Sequence, residues 1–195
     1  MSDRRKHQRI RFSHPLLVRI GYGGRVGEGK IENLSLSGLM LISPFALTVG
    51  NVVGCEFSLA GWPRLDVAAR VVSHVGDCYG VRIEPGLIAP YILDEAIPGQ
   101  LASGQAATLS FHTLAGKHVM RVVGGLSAML SHDFMHALTR MGVHELDLSA
   151  VTAVDSVGLG LCRVAVARHG VHISARSDCF AHAWATEFPS ISSES

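Results

Sequence analysis

Two short patterns near the start of the sequence hold the residue types best suited to gripping a charged ligand: Arg5-x-x-x-Arg9 and Asn33-x-Ser35-x-x-Gly38. Arginine presents a planar fork of N–H donors that can take phosphate oxygens, or the O6/N7 edge of guanine, two at a time. The second pattern supplies an amide, a hydroxyl and a flexible glycine on one turn, suited to holding a base or a phosphate against backbone. In this order and at this separation they look like a pocket for a doubly phosphorylated guanine ligand. Taken singly, each has a plainer reading. Arg4, Arg5, Lys6, Arg9 and Arg11 form a basic run that could be a solvated or membrane-grazing arm, and the second pattern could be an Asx-type turn between strands.

Other constellations carry less. His132 and His136 stand four apart on an expected helix, the spacing of a metal-binding pair. Asp133 occupies the place where the H-E-x-x-H pattern requires glutamate, and no third ligand accompanies them, so surface or core histidines are expected. No G-x-S-x-G elbow, phosphate-binding loop of the G-x-x-x-x-G-K-[ST] type or G-x-G-x-x-G fingerprint occurs. Trp62 and Trp184 are expected to be packing anchors. No catalytic set emerges, so the expectation is a protein that is not an enzyme and needs no cofactor or metal.

The elements that must position these residues fall into two textures. At 195 residues with 48% hydrophobic content, the chain suits one large or two small domains with packed cores. The net charge of +1 gives no bulk attraction to nucleic acid. The most apolar stretch, Val157 to Ala167, contains Arg163 and falls short of the ~20 residues a bilayer requires. No signal core follows Met1, and Cys55, Cys78, Cys162 and Cys179 form no C-x-x-C pair. A cytosolic protein with reduced thiols is therefore expected, not an integral membrane protein.

Residues 14–84 alternate in short runs expected to be strands: His14–Tyr22, Val26–Asn33, Leu39–Ile42, Asn51–Leu59, Leu65–His74 and Cys78–Glu84. Turn signals such as Gly23-Gly24, Gly61-Trp62-Pro63 and Gly76-Asp77 separate them, which predicts a small antiparallel barrel or sandwich. From Pro85 to Gln105 prolines and glycines bracket room for a short helix around Tyr91–Ala96, the natural domain boundary. Beyond it, Ala106–His112, His118–Val123, Val143–Leu148 and Val171–Ala175 read as strands. Ser127–Met141, a helix from Asp155 to about His169 closed by Gly170, and a last helix capped by Asp178 fall between and after them. That order predicts parallel pairing with helices packed on the sheet. The tail from Ser190 is expected to fray.

The two N-terminal patterns, the strands after them and the closing Tyr79-Gly80-Val81-Arg82-Ile83 together resemble a PilZ domain, the bacterial receptor module for cyclic di-GMP. The resemblance covers roughly residues 1–90. It implies a six-stranded barrel, with Arg5 and Arg9 wrapping the nucleotide from a mobile arm, Arg4 as an auxiliary contact, and Asn33, Ser35 and Gly38 contacting guanine and phosphate.

Leu146-Asp147-Leu148-Ser149 through Asp155-Ser156-Val157-Gly158-Leu159-Gly160 resembles the core of a STAS domain, the fold of anti-sigma factor antagonists, over about residues 105–188. That family's pattern is Asp-Ser-Ser/Thr-Gly. Here the second hydroxyl position is Val157, which leaves Ser156 as the phosphorylation candidate. Phosphate at Ser156 would add charge at a helix start, beside Asp155, and could expel a docked partner. Without it the surface would be a plain scaffold. Gly158 and Gly160 would let the helix pack closely on the sheet.

The expected organisation is thus a barrel with a basic arm (1–88), a linker with room for a short helix (89–104), a STAS-like α/β domain (105–188) and a frayed tail (189–195). The expected function is a cyclic di-GMP-binding adaptor that relays nucleotide state through the STAS-like half to a protein partner, such as an anti-sigma factor or switch kinase. The alternative is a phosphorylation-controlled scaffold whose barrel binds no nucleotide.

Overall fold

In the computed structural model, residues 8–86 and 89–189 are described. They fall into two compact units that meet in sequence between Gln100 and Leu101.

After a two-residue strand, Arg11–Phe12 (β1), the first unit is a closed barrel. Its strands are Leu16–Tyr22 (β2), Arg25–Ser35 (β3), Gly38–Ile42 (β4), Val52–Phe57 (β5), Leu65–Val75 (β6) and Cys78–Ile83 (β7). They close in the order β2-β3-β4-β7-β6-β5, every pair antiparallel. This is the six-stranded barrel expected from the sequence. The period-2 pattern makes it: in β6, Leu65, Val67, Ala69 and Val71 are buried while the residues between them face out. Gly23 and Gly24 have φ of +57° and +74° and join β2 to β3 in the two-residue turn whose twist suits a hairpin.

The stretch expected to be a linker with room for a short helix around Tyr91–Ala96 holds a longer one, a 14-residue helix, Ala89–Ala102 (α1). Pro98 and Gly99 read as breakers, yet the helix continues through them because packing outweighs propensity. Leu93 and Ala96 are buried, the Gln100 side-chain amide donates to Ala60 O at 2.9 Å, and Trp62 lies against Gly99. A Cβ at 99 would stand 3.4 Å from the Trp62 indole nitrogen, an ordinary van der Waals distance, so the indole packs on this turn of the helix.

In the second unit Ala106–Leu114 (β8) and Lys117–Leu126 (β9) form an antiparallel hairpin. Glu145–Val154 (β10) then pairs parallel with both β9 and His172–Arg176 (β11). The strand expected at Val143–Leu148 therefore runs further, because Val151 is buried and the residues up to Val154 pair with β9 as far as Leu126. The expected helix Ser127–Met141 divides into a 3-10 turn, Ala128–Leu130, and Ser131–Arg140 (α2), with Gly142 at φ +60° beyond. Ser156–His169 (α3) begins and ends where expected. Asp155 Oδ1 accepts from Gly158 N at 2.7 Å, and Gly170 takes the left-handed conformation at the C-terminus. Asp178–Glu187 (α4) is capped by Ser177, whose hydroxyl accepts from Phe180 N, and not by Asp178. Phe134, Leu146, Leu148, Cys162 and Phe180 centre the core, and Trp184 is buried between Phe180 and Phe188.

Candidate functional site

One irregularity decides which side of β3 the residues of the second pattern take. Ile31 pairs with Leu41 but Asn33 pairs with Met40, so β3 carries a bulge at Glu32. The extra residue turns Ile31 and Leu34 both toward the core, with Leu39 and Leu41. It leaves Asn33 and Ser35 together on the outer side of the ladder, with Met40 and Gly38 as their partners.

Both polar residues are nonetheless sequestered, Asn33 at 7% exposure and Ser35 at 4%. The Ser35 hydroxyl donates to Gly38 O at 3.0 Å and closes the turn. Asn33 is less well served. Its Nδ2 finds only the Met40 thioether, at 3.7 Å, a weak acceptor, and its Oδ1 is buried with no hydrogen-bond partner among the described residues. Leaving such an acceptor unmade costs roughly 1–3 kcal/mol, so the site holds a polar group ready for an incoming donor.

Gly38 is required by space, not by φ. A Cβ there would lie 2.3 Å from Val81 O and 3.4 Å from Arg82 Cα. The missing side chain lets β4 lie against β7, and Ile83 N donates to Ser37 O at 3.0 Å to fasten the turn there.

The arm enters at the same place. Ile10 and Leu34 exchange both backbone hydrogen bonds, at 2.8 and 3.0 Å, and Ile10 is 1% exposed. The bridge is a single pair, and it brings Arg9 and Arg11, on either side of Ile10, to the end of β3 that carries Asn33 and Ser35. Arg9 is exposed. Arg4 and Arg5 lie outside the described residues. Sequence reasoning passed over Ile10, and its signal was a lone β-branched residue inside a basic run.

The other sequence-derived sites stay apart from this one. Ser156 is exposed at the first position of α3, directly after the capping Asp155. Gly158 packs as expected, since a Cβ would meet Leu126 O at 2.1 Å; Gly160 does not, having open space where a side chain would stand. His132 and His136 are exposed with their rings stacked 6.5 Å apart, and no cluster among the described residues could hold a metal ion. The four cysteines are free thiols. Burial, aided by Asp66, pushes Cys55 up to about 12, and burial alone does the same to Cys162. No helix among the described residues is long and apolar enough to cross a membrane.

Among curated proteins no match to the chain is found. Among solved structures, the PilZ domain with c-di-GMP of YcgR from Escherichia coli aligns at 16% identity and a TM-score of 0.43, covering 50% of this chain and 91% of that one. The Bacillus subtilis inhibitor of motility MotI/DgrA aligns at 16% and 0.43, covering 51% and 53%, so the chain spans about half of that protein. The Borreliella burgdorferi PlzA protein in complex with c-di-GMP aligns at 16% and 0.36, covering 48% and 41%. The PilZ domain family itself matches residues 3–90, a span that takes in both N-terminal patterns and the closed barrel and none of residues 101–195. With that match falling on a barrel whose bulged strand gathers Asn33, Ser35 and Gly38, the N-terminal part of this chain belongs to the PilZ domain family.

Proposed function

We propose that this chain is a cyclic di-GMP receptor acting as a signalling adaptor in the cytosol, by binding and not by catalysis. The barrel holds the nucleotide with Asn33, Ser35 and Gly38, and the arm closes over it with Arg5 and Arg9, assisted by Arg4. The observation that carries this reading is Asn33 Oδ1, a buried acceptor without a partner among the described residues, on the outer side of the strand to which Ile10 stitches the arm. A guanine offers N–H donors for such an acceptor, and its phosphates suit the guanidinium forks. Charge-assisted hydrogen bonds then offset the entropy lost as arginines order around the ligand. Calorimetric titration of cyclic di-GMP into nucleotide-free protein and into Arg9→Ala tests it. Binding that the substitution removes supports the reading; a folded wild type that gives no heat overturns it.

In the same proposal the second unit is STAS-like and passes the state to a protein partner, of the anti-sigma factor or switch-kinase kind. Its support is the strand-helix succession β10-α3, with Asp155-Ser156 at the junction. Equal partner affinity with and without nucleotide would sink the relay. The exposure of Ser156 at a helix start favours the second reading, a phosphorylation-controlled scaffold. Phosphorylation of Ser156 that alters partner binding, in a protein with no nucleotide response, would select it.

A further inference from the structure

We infer that Arg82, on the barrel's last strand, is a further ligand-binding residue that reads a guanine edge beside the Asn33-x-Ser35-x-x-Gly38 turn. This rests on the cyclic di-GMP reading above and adds a residue that neither of the two patterns contains.

The register places it there. Ser35 pairs with Gly38, Gly38 with Arg82, and Arg82 with Arg70, a single row across β3, β4, β7 and β6. The residues on either side of Arg82 bind the turn directly: Val81 O packs against Gly38, and Ile83 N donates to Ser37 O. Side chains alternate along a strand, so with Val81 in the core Arg82 emerges on the same outer side as Ser35.

Its electrostatics differ from those of other arginines on the barrel. Arg70 donates to Glu84 at 2.7 Å and to Gly50 O at 3.1 Å. Arg19 and Arg64 share Glu56, and Arg25 covers the Phe45 ring. Arg82 is exposed and has no hydrogen bond or ion pair among the described residues. With Glu84 engaged by Arg70, nothing in the row offsets the Arg82 charge. A guanidinium rooted on this strand starts from a backbone position beside the turn, and its planar fork suits two-point recognition of O6 and N7.

The test is calorimetric titration of cyclic di-GMP into wild type, Arg82→Ala and Arg82→Lys, with circular dichroism melts to establish folding. Arg82→Ala should bind about 10- to 100-fold more weakly, the scale of one lost bidentate arginine–guanine pair, at an unchanged melting temperature. Arg82→Lys should be weakened as well, because a point charge cannot form the fork. Wild-type affinity in Arg82→Ala overturns this inference and leaves the receptor reading standing. Full rescue by lysine overturns the guanine edge as the target and makes the contact one of charge alone. Absence of binding by the wild type overturns both.

Discussion

Arg82 Cα lies 3.4 Å from the point where a side chain on Gly38 would begin, and the two residues are partners in the β4–β7 ladder. The glycine thus sets how closely the two strands approach, and through that the position of everything rooted on β7. Gly38→Ala forces a methyl against Val81 O, 2.3 Å away, and backbone must give. The expected cost is about 1–3 kcal/mol of barrel stability, read as a lower midpoint in urea unfolding. On the receptor reading cyclic di-GMP affinity falls as well. Unchanged stability would show that β7 yields without strain.

Asn33 leads to the opposite sign. Among the described residues its Oδ1 has no partner and its Nδ2 has only a thioether, which makes the amide a burden on the fold. Asn33→Leu should leave the melting temperature equal or raise it, by up to about 1 kcal/mol of stability, while nucleotide affinity collapses. A site that costs stability in order to bind is the pattern expected of function. A strongly destabilised Asn33→Leu would mean that the amide serves the fold.

Much of the fold was legible because burial alternates cleanly in β2, β5 and β6 and because Asp155 and Gly170 are strong end signals. The errors share one cause, tertiary packing that short-range signals do not carry. Pro98 and Gly99 look like punctuation until Trp62 and Ala60 supply partners for α1. The bulge at Glu32, which puts Asn33 and Ser35 on the side opposite Ile31, appears only when β3 is paired with β4. For the candidate site, the residue types of the turn were readable along the chain; the approach of Arg82 and the stitch at Ile10 depend on strands distant in sequence.

In the second unit, two residues near the start of α3 separate capping from packing. Asp155→Ala removes the acceptor for Gly158 N and should cost about 1 kcal/mol. Gly158→Ala places a methyl 2.1 Å from Leu126 O and should cost more, although alanine is the better helix former. Gly160→Ala, with open space around it, should stabilise by up to about 1 kcal/mol. Denaturant unfolding of the three variants checks the order. A stabilised Gly158→Ala would contradict the close approach of α3 to Leu126.

Acid sensitivity should follow Asp147. Where β10 shifts register after Asp147, the Ser149 N–H is caught by Asp147 Oδ1 at 3.0 Å and the Ser149 hydroxyl donates to the same oxygen at 2.6 Å. Burial pushes this carboxyl up, but the two Ser149 bonds, with Arg121 and His112, together hold it below its ordinary 3.8. A carboxylate depressed in the folded state contributes stability that is fully present above the unfolded value and is lost as pH falls through the folded one. Ser149→Ala removes the hydroxyl bond and narrows that difference. It should therefore be less stable than wild type at neutral pH, by under about 1 kcal/mol given the solvent around the pair. The two proteins should converge as the pH falls through the depressed folded value, below which Asp147 carries its proton in both states. Thermal melts across that range decide the matter, and a stability difference that persists unchanged into acid would assign the Ser149 effect to strand packing instead of the carboxylate.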